Sequence, residues 1–171
     1  DALREAAAHY LGRMRGVAVA PDEVVVGAGA KPFIAYSILS TTDYGVGDEV
    51  IYPNPGFPIY ESQIKAHGAV PVPLPLREAR NFAFDPADLE ARLSPRTKLL
   101  ILNSPHNPTG GILARKDLED IAAILRRHPA VWVYADEIYS RLCYEGAFAS
   151  IASLPGMYER TIICDGASKT W

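Results

Sequence analysis

Short apolar runs alternate along the chain with longer segments in which apolar residues recur at helical spacing. The short runs predict strands, which we place at residues 23–27, 49–52, 70–74, 98–102, 131–135 and 161–164. The longer segments predict helices at residues 1–15, 27–40, 57–67, 86–93 and 114–127. Because the predicted strands are continuously apolar rather than alternating, we expect a mostly parallel sheet covered by helices on both faces, a three-layer α/β/α fold.

Prolines and a candidate helix cap refine these boundaries. The proline- and glycine-containing segment 53–56 is expected to end the second strand at Tyr52. The prolines within 70–74 favour an edge position for that strand, because proline cannot donate to a neighbouring strand. Asp85 is a candidate N-cap for the helix at 86–93.

Composition narrows the class of protein. The chain has 171 residues, of which 49% are hydrophobic and 22% charged, as expected for one globular domain. A net charge of −3 argues against a nucleic-acid partner, and no apolar run approaches the ~20 residues of a membrane-spanning helix. The two cysteines, Cys143 and Cys164, and the four histidines lack the spacing of metal ligands, so no metal site is expected. The cysteines are typical of small buried residues in a reducing compartment, so we expect a cytoplasmic protein.

Polar residues follow three of the predicted strands. The strand at 98–102 leads into the sequence NSPHNPTG at 103–110, the next strand leads into Asp136 and Tyr139, and the last is followed by Lys169. Ligands of open α/β sheets bind beyond the carboxyl ends of the strands. We therefore expect an amide, a carboxylate, a phenol and a lysine to meet at one edge of the sheet. That set suits an aromatic, cationic cofactor that carries an aldehyde.

A segment of small residues, 27–31, opens one of the predicted helices. The backbone N–H groups of a helix N-terminus form an anion site when no side chain blocks the approach, so Gly29, Ala30 and Lys31 are candidates to hold a phosphate. A tight turn into the helix with no ligand is the alternative, and a glycine pair this short favours neither interpretation.

The residues after the strands also have structural alternatives. A carboxylate such as Asp136, placed just past an apolar run, needs a donor or a cation, which could be a helix terminus, a salt bridge or a protonated ring nitrogen. Lys169 is either a solvated loop lysine or an amine that forms a Schiff base with an aldehyde. Tyr139 either packs against the sheet or aims its hydroxyl at the same ligand. Asn107 either belongs to a simple turn or donates to a ligand oxygen, and Phe57 is either a core aromatic or a ring that stacks on a planar cofactor.

Three motifs, at 103–110, 135–139 and 168–171, occur in an order and at a spacing that resemble the class I/II aminotransferases, the aspartate-aminotransferase-like group above all. These are fold-type I enzymes that depend on pyridoxal 5′-phosphate (PLP). The resemblance extends over nearly the whole chain and implies that residues 1–171 form the PLP-binding large domain, with a mostly parallel, mixed sheet. It also implies an N-terminal arm and a small C-terminal domain outside these residues, so the chain by itself is expected not to transaminate.

The resemblance implies a role for each candidate residue. Lys169 would form the internal aldimine with PLP and then move a proton between the substrate Cα and the cofactor. Asp136 would keep the pyridine nitrogen protonated, while Tyr139 and Asn107 would hydrogen-bond the ring oxygen. Phe57 would stack on the ring. The remaining cofactor-binding residues would be Gly29, Ala30, Lys31 and Ser168, at the phosphate.

The implied reaction is amino-group transfer between an amino acid and a 2-oxo acid, carried out by a homodimer without nucleic-acid or membrane partners. Two alternatives use the same scaffold: a PLP-dependent C–S lyase, and a regulator domain fused to a DNA-binding module. A third is a nucleotide-binding α/β module that uses only the phosphate turn, which would leave Asn107, Asp136 and Lys169 unexplained. The arginine that grips the substrate carboxylate in the family is not among these residues, so the choice of amino acid stays open.

Overall fold

In the computed structural model, which describes residues 1–144, 146–169 and 171, six strands form one sheet in the order β3-β2-β1-β4-β5-β6. Along the chain these are β1 (Glu49–Asn54), β2 (Val70–Arg77), β3 (Ala83–Phe84), β4 (Thr97–Asn103), β5 (Trp132–Asp136) and β6 (Thr161–Cys164). All neighbouring strands are parallel except β2 and β3, which pair antiparallel. The sheet is therefore mixed and mostly parallel, which confirms the predicted class.

Five α-helices in the described part of the chain surround the sheet. They are α1 (Ala2–Arg15), α2 (Lys31–Thr41), α3 (Ile59–Ala66), α4 (Pro86–Glu90) and α5 (Arg115–Arg126). The predicted cap of α4 is present, because the Asp85 carboxylate accepts a hydrogen bond of 2.9 Å from the Ala87 backbone N–H. None of the described helices combines the length and the apolar character needed to cross a bilayer.

Two hydrophobic cores lie on opposite faces of the sheet. On β4, Leu99 and Ile101 pack with α2 and α3, whereas Leu100 and Leu102 pack with α4 and α5. Successive strand residues point to opposite faces, so covering both faces requires every residue of a central strand to be apolar. This explains the continuous apolar runs in the sequence and gives the three layers that they predict.

The prediction of a strand at residues 23–27 is wrong. Residues 21–23 form a short 3₁₀ turn and residues 24–27 have no regular structure. Val25 and Val26 are 76% and 55% exposed, and nothing in the described residues pairs with their backbone. Valine favours strands through packing on a half-buried sheet, and without a neighbouring strand that preference has no effect.

Prolines act differently from the prediction in the first two strands. Pro53 does not end β1, which continues to Asn54. β2 is longer than predicted and runs to Arg77. Its end pairs with β3, a strand that was not predicted from the sequence. Up to Pro75, β2 pairs only with β1, so the expected edge position holds for its first six residues. Its prolines occupy alternate positions, 71, 73 and 75.

Candidate active site

A cavity of about 360 Å³ opens at the carboxyl ends of β4 and β5. It lies on the face of the sheet covered by α2 and α3, which contribute Ile34 and Tyr60 to its wall. All nine residues predicted to bind or act on a cofactor line it: Gly29, Ala30, Lys31, Phe57, Asn107, Asp136, Tyr139, Ser168 and Lys169. Segments up to 140 residues apart in the sequence thus meet where the sheet topology predicts a ligand.

Asp136, the last residue of β5, supplies the most unusual group in the cavity. Its side chain is buried, and Oδ2 accepts a hydrogen bond of 2.6 Å from the Tyr60 hydroxyl. Its second oxygen, Oδ1, is buried and has no hydrogen-bond partner among the described residues. Burial raises the pKa of Asp136, while the hydrogen bond from Tyr60 opposes that rise. An unpaired buried carboxylate oxygen on a residue that lines a cavity is a candidate site for a donor or a cation.

Tyr60 belongs to the cavity although the sequence did not predict it as a site residue. This residue is fully buried in α3, and its hydroxyl is the only described side-chain donor to Asp136. A signal was present, since Tyr60 comes three residues after Phe57 and its backbone N–H donates to the Phe57 carbonyl in the turn that starts α3. The partnership with Asp136 was not visible, because it joins residues 76 positions apart.

Asn103, at the end of β4, was also missed as an individual residue. Its side-chain amide donates to the Asp136 carbonyl at 2.9 Å, and its Oδ1 accepts from the Asn107 backbone N–H at 2.9 Å. Asn103 therefore ties the end of β5 to the turn that carries Asn107. The half-buried Asn107 side chain is left to line the cavity.

The N-terminus of α2 forms another wall of the cavity. Gly29 has φ of +82°, a left-handed conformation that favours glycine, and a Cβ at this position would meet open space. The Gly29 N–H donates to the Gly27 carbonyl, so the free donors here are the N–H groups of Ala30 and Lys31, which have no backbone acceptor among the described residues. Together with the helix dipole, these groups form a site for an anion.

Aromatic and amine groups complete the cavity. The Phe57 ring packs edge-on against Tyr60, with 5.8 Å between the ring centroids, and the Lys31 ammonium lies 6.0 Å from the Phe57 centroid. Tyr139 is half-buried in the turn after β5. Ser168 and Lys169 lie in a 3₁₀ turn after β6, and both are exposed. The Lys169 amine is thus accessible from the cavity.

These groups define an α/β protein with a ligand-binding cavity at the carboxyl ends of its strands. The cavity offers backbone donors for an anion, a carboxylate oxygen for a hydrogen-bond donor, and an amine for an electrophile. The sequence profile of the family described as aminotransferase class I and II matches residues 1–171. The chain belongs to this family.

Individual relatives agree with this assignment. The chain is 42% identical over 170 residues to the bifunctional aspartate aminotransferase and glutamate/aspartate-prephenate aminotransferase of Petunia hybrida, covering 99% of this chain and 35% of that protein. It is 36% identical over 171 residues to the aspartate/prephenate aminotransferase of Cereibacter sphaeroides, covering 99% of this chain and 42% of the other. The aromatic aminotransferase of Pyrococcus horikoshii has the same fold, with a TM-score of 0.93 at 38% identity over 98% of this chain and 44% of that structure. The chain therefore spans less than half the length of these relatives.

Proposed function

We propose that these residues form the cofactor-binding part of a PLP-dependent aminotransferase that moves an amino group from an amino acid to a 2-oxo acid. The observation that carries the proposal is the buried, unpartnered Oδ1 of Asp136, in a cavity that the Lys169 amine also lines. A protonated pyridine nitrogen is the donor that this oxygen lacks. The cavity volume of about 360 Å³ lies in the range of ~300–1,000 Å³ that small-molecule sites occupy.

The residues present fit PLP at each of its functional groups. The N–H groups of Ala30 and Lys31, with the conformation of Gly29, suit the phosphate. Phe57 supplies a ring for stacking, and Tyr139 and Asn107 line the same cavity as donors for the ring oxygen.

When bound, PLP supplies an electron sink that stabilises negative charge at the substrate Cα. The chain supplies the remaining functions. Asp136, oriented by Tyr60, would hold the proton on the ring nitrogen. Lys169 would provide the amine that attaches the cofactor and would move a proton between the substrate Cα and the cofactor. Ser168 lies beside Lys169 as a further phosphate donor.

We propose that the complete protein adds to this large domain an N-terminal arm and a small domain that select the substrate. We also propose that it works as a homodimer in the cytoplasm. The exposed apolar residues Tyr36 and Leu39 on α2 support contact with a second copy, and the two free cysteines support a reducing compartment. The mass of the complete protein in solution, measured by light scattering, tests the dimer.

The decisive experiment is chemical. The complete protein is loaded with PLP, reduced with borohydride, digested, and searched by mass spectrometry for a pyridoxyl-modified lysine. We expect modification at Lys169 and none in the Lys169→Ala variant; modification elsewhere, or no modification, overturns the proposal. An assay with a panel of amino donors and 2-oxoglutarate then tests transfer. Release of pyruvate with ammonia and without amino-group transfer would instead identify a C–S lyase.

A further inference from the structure

A buried arginine lies behind the cavity, where α1 reaches the sheet. Arg15 is the last residue of α1, and its side chain has no exposed surface. Its Nε donates to Glu137 Oε2 at 2.5 Å, and its Nη2 donates to Asp165 Oδ2 at 2.9 Å. The guanidinium also lies 5.7 Å from the ring centroid of Phe148. This is a fully buried charge network, and the reaction described above does not use it.

Both carboxylates belong to the chain segments that carry the cavity's reactive groups. Glu137 directly follows Asp136, and Asp165 comes four residues before Lys169. The Glu137 N–H also donates to the Cys164 carbonyl at 2.9 Å, which joins the ends of β5 and β6. Arg15 therefore contacts, from behind, the two segments whose spacing decides how far Lys169 lies from Asp136.

The side chains of Asp136 and Glu137 face opposite ways. Asp136 faces Tyr60 and the cavity, whereas Glu137 faces Arg15 and accepts a hydrogen bond of 2.6 Å from the Ser150 hydroxyl. Arg15 thus acts on the cavity without entering it. A substitution at Arg15 removes no group that touches a ligand.

Arg15 offsets part of the negative charge at this end of the sheet. Three carboxylates, those of Asp136, Glu137 and Asp165, lie at the ends of β5 and β6, and Arg15 is the cation that hydrogen-bonds two of them. Burial raises the pKa of Glu137 and the Arg15 charge opposes that rise. For Arg15 itself, burial lowers the pKa, but the two carboxylates more than compensate, so its net shift is upward and it stays charged.

The groups facing Asp136 identify the charge that Arg15 must neutralise. They are Tyr60 from α3, Tyr134 within β5, Cys164 from β6 and Asp165 just beyond β6. The pKa values of both tyrosines lie above their usual value, and burial raises the pKa of Cys164 to about 12, so these three groups are neutral at pH 7. Asp165 is the anion among them, and after burial its charge is a further cause that raises the pKa of Asp136.

We propose that Arg15 is a positioning residue of the cofactor site: its guanidinium binds Glu137 and Asp165, holds together the segments that carry Asp136 and Lys169, and neutralises Asp165. The importance of an ionised Asp136 rests on the proposed function, but the effect of Arg15 on Asp136 does not. A guanidinium suits this task because its planar fork binds two carboxylates at once, which a lysine ammonium does less well.

The experiment measures the titration of Asp136 directly in the complete protein. Cofactor-free protein is labelled with ¹³C-aspartate, the Asp136 carboxyl signal is assigned by its loss in Asp136→Asn, and its chemical shift is followed against pH. The variants are Arg15→Met, Arg15→Met with Asp165→Asn, and Asp165→Asn alone. Arg13→Met is the matched control, because Arg13 lies on the same helix and is exposed. The dissociation constant for PLP is measured on each protein as a second readout.

We expect Arg15→Met to raise the titration midpoint of Asp136 by about one pH unit and to weaken PLP binding by about tenfold. The added Asp165→Asn substitution should return both values towards the wild type, and Arg13→Met should change neither. Asp165→Asn alone, which retains Arg15 for folding, should lower the midpoint. A role in packing alone would not be rescued by removing a second charge.

Two results overturn the proposal. One is an unchanged midpoint in Arg15→Met; the other is a midpoint in the double variant as high as in Arg15→Met. If Arg15→Met does not fold, an unchanged Asp136 midpoint in Asp165→Asn overturns the proposal instead. Failure of the wild type to bind PLP would refute the proposed function, and the carboxyl titration would still decide the role of Arg15.

Discussion

The two oxygens of the Asp136 carboxylate have different surroundings. Oδ2 receives the Tyr60 hydroxyl, whereas Oδ1 is buried and unpartnered among the described residues. A buried charge with an incomplete hydrogen-bond shell destabilises the folded protein until a ligand completes it. The residue proposed to activate the cofactor is therefore a cost to the fold of the cofactor-free protein.

The first prediction concerns the cofactor-free stability of Asp136→Asn. The folded-state pKa of Asp136 is raised, so the unfolded chain releases this proton at a lower pH than the folded protein does. Its contribution to stability is thus most favourable below the unfolded pKa of about 4 and falls as the pH rises through the folded pKa. By urea unfolding at pH 7 we expect Asp136→Asn to be more stable than the wild type, with the difference shrinking towards pH 4.

In the complete protein, the proposed function implies that the same substitution weakens PLP binding and lowers kcat by about 10²-fold, because the ring nitrogen would lose its anionic partner. Equal stability of variant and wild type at pH 7 would show that the buried Asp136 carboxylate does not destabilise the cofactor-free protein.

The second prediction concerns Tyr60→Phe. This change removes one hydroxyl and leaves Asp136 Oδ2 without its described side-chain donor. We expect the free energy of unfolding to fall by about 1–3 kcal/mol, the cost of leaving a buried acceptor unsatisfied, and the dissociation constant for PLP to rise. Tyr36→Phe is the control, since Tyr36 is exposed on α2 and its loss of a hydroxyl should change stability by less than about 0.5 kcal/mol.

At the scale of elements, the turn after β4 does more than connect β4 to α5. The His106 N–H donates to the Gly111 carbonyl and its carbonyl accepts from the Gly110 N–H, both at 2.8 Å, which closes the turn that carries Asn107. The buried His106 ring contacts the Thr109 hydroxyl through Nδ1 at 2.8 Å. The histidine thus fixes the shape of a turn that presents a cavity residue.

The third prediction follows from burial of His106, which lowers its pKa to about 4. The unfolded chain takes up this proton near pH 6.5 and the folded protein only near pH 4. The neutral ring therefore contributes stability above pH 6.5, and about 3 kcal/mol of it is lost as the pH falls from 6.5 to 4.

The free energy of unfolding, measured by urea unfolding at intervals of about half a pH unit between about pH 7.5 and about pH 4.5, checks this expectation. His106→Gln should flatten the decline, whereas His9→Gln, at an exposed position on α1, should leave it unchanged. A stability difference between the wild type and His106→Gln that stays constant over this range would contradict the prediction, because the folded and unfolded states would then take up the His106 proton at the same pH.

At the scale of the whole molecule, one sheet supports two cores and the cavity lies at the border of only one of them. Leu100 is fully buried in the core of the α4 and α5 layer, on the other face of the sheet from the cavity, and it lies three residues before Asn103 on the same strand. Because β4 carries both residues, packing of Leu100 in that layer helps to fix the position of Asn103 and of its contacts.

The fourth prediction tests this core. Leu100→Ala should lower the free energy of unfolding by about 2–5 kcal/mol, because a cavity between packed layers cannot fully collapse. Leu3→Ala, at an exposed position of α1, should change it by less than about 0.5 kcal/mol. Equal effects of the two substitutions, measured by urea unfolding, would contradict the layered core.

Most of the fold was predictable because strands buried on both faces leave an unmistakable run of apolar residues, as in β4. The failures have one physical origin, dependence on distant partners. Residues 24–27 have the composition of a strand but no neighbour to pair with in the described structure, and β3 forms only because β2 extends to meet it. For the site, residue types at strand ends sufficed for Asp136 and Lys169. Tyr60 and Arg15 were hidden because their partners lie 76 and more than 120 residues away.

The alternating prolines of β2 have a consequence for behaviour in a crowded cell. The N–H of Val70 bonds towards β1, so by the period of two the nitrogens of residues 71, 73 and 75 face the open side of the sheet, where proline offers no hydrogen. An incoming strand from another molecule would find no row of donors there. The prolines thus protect this edge against amyloid-like growth, and the Arg92 side chain adds to that protection by donating to the Pro73 carbonyl at 2.8 Å.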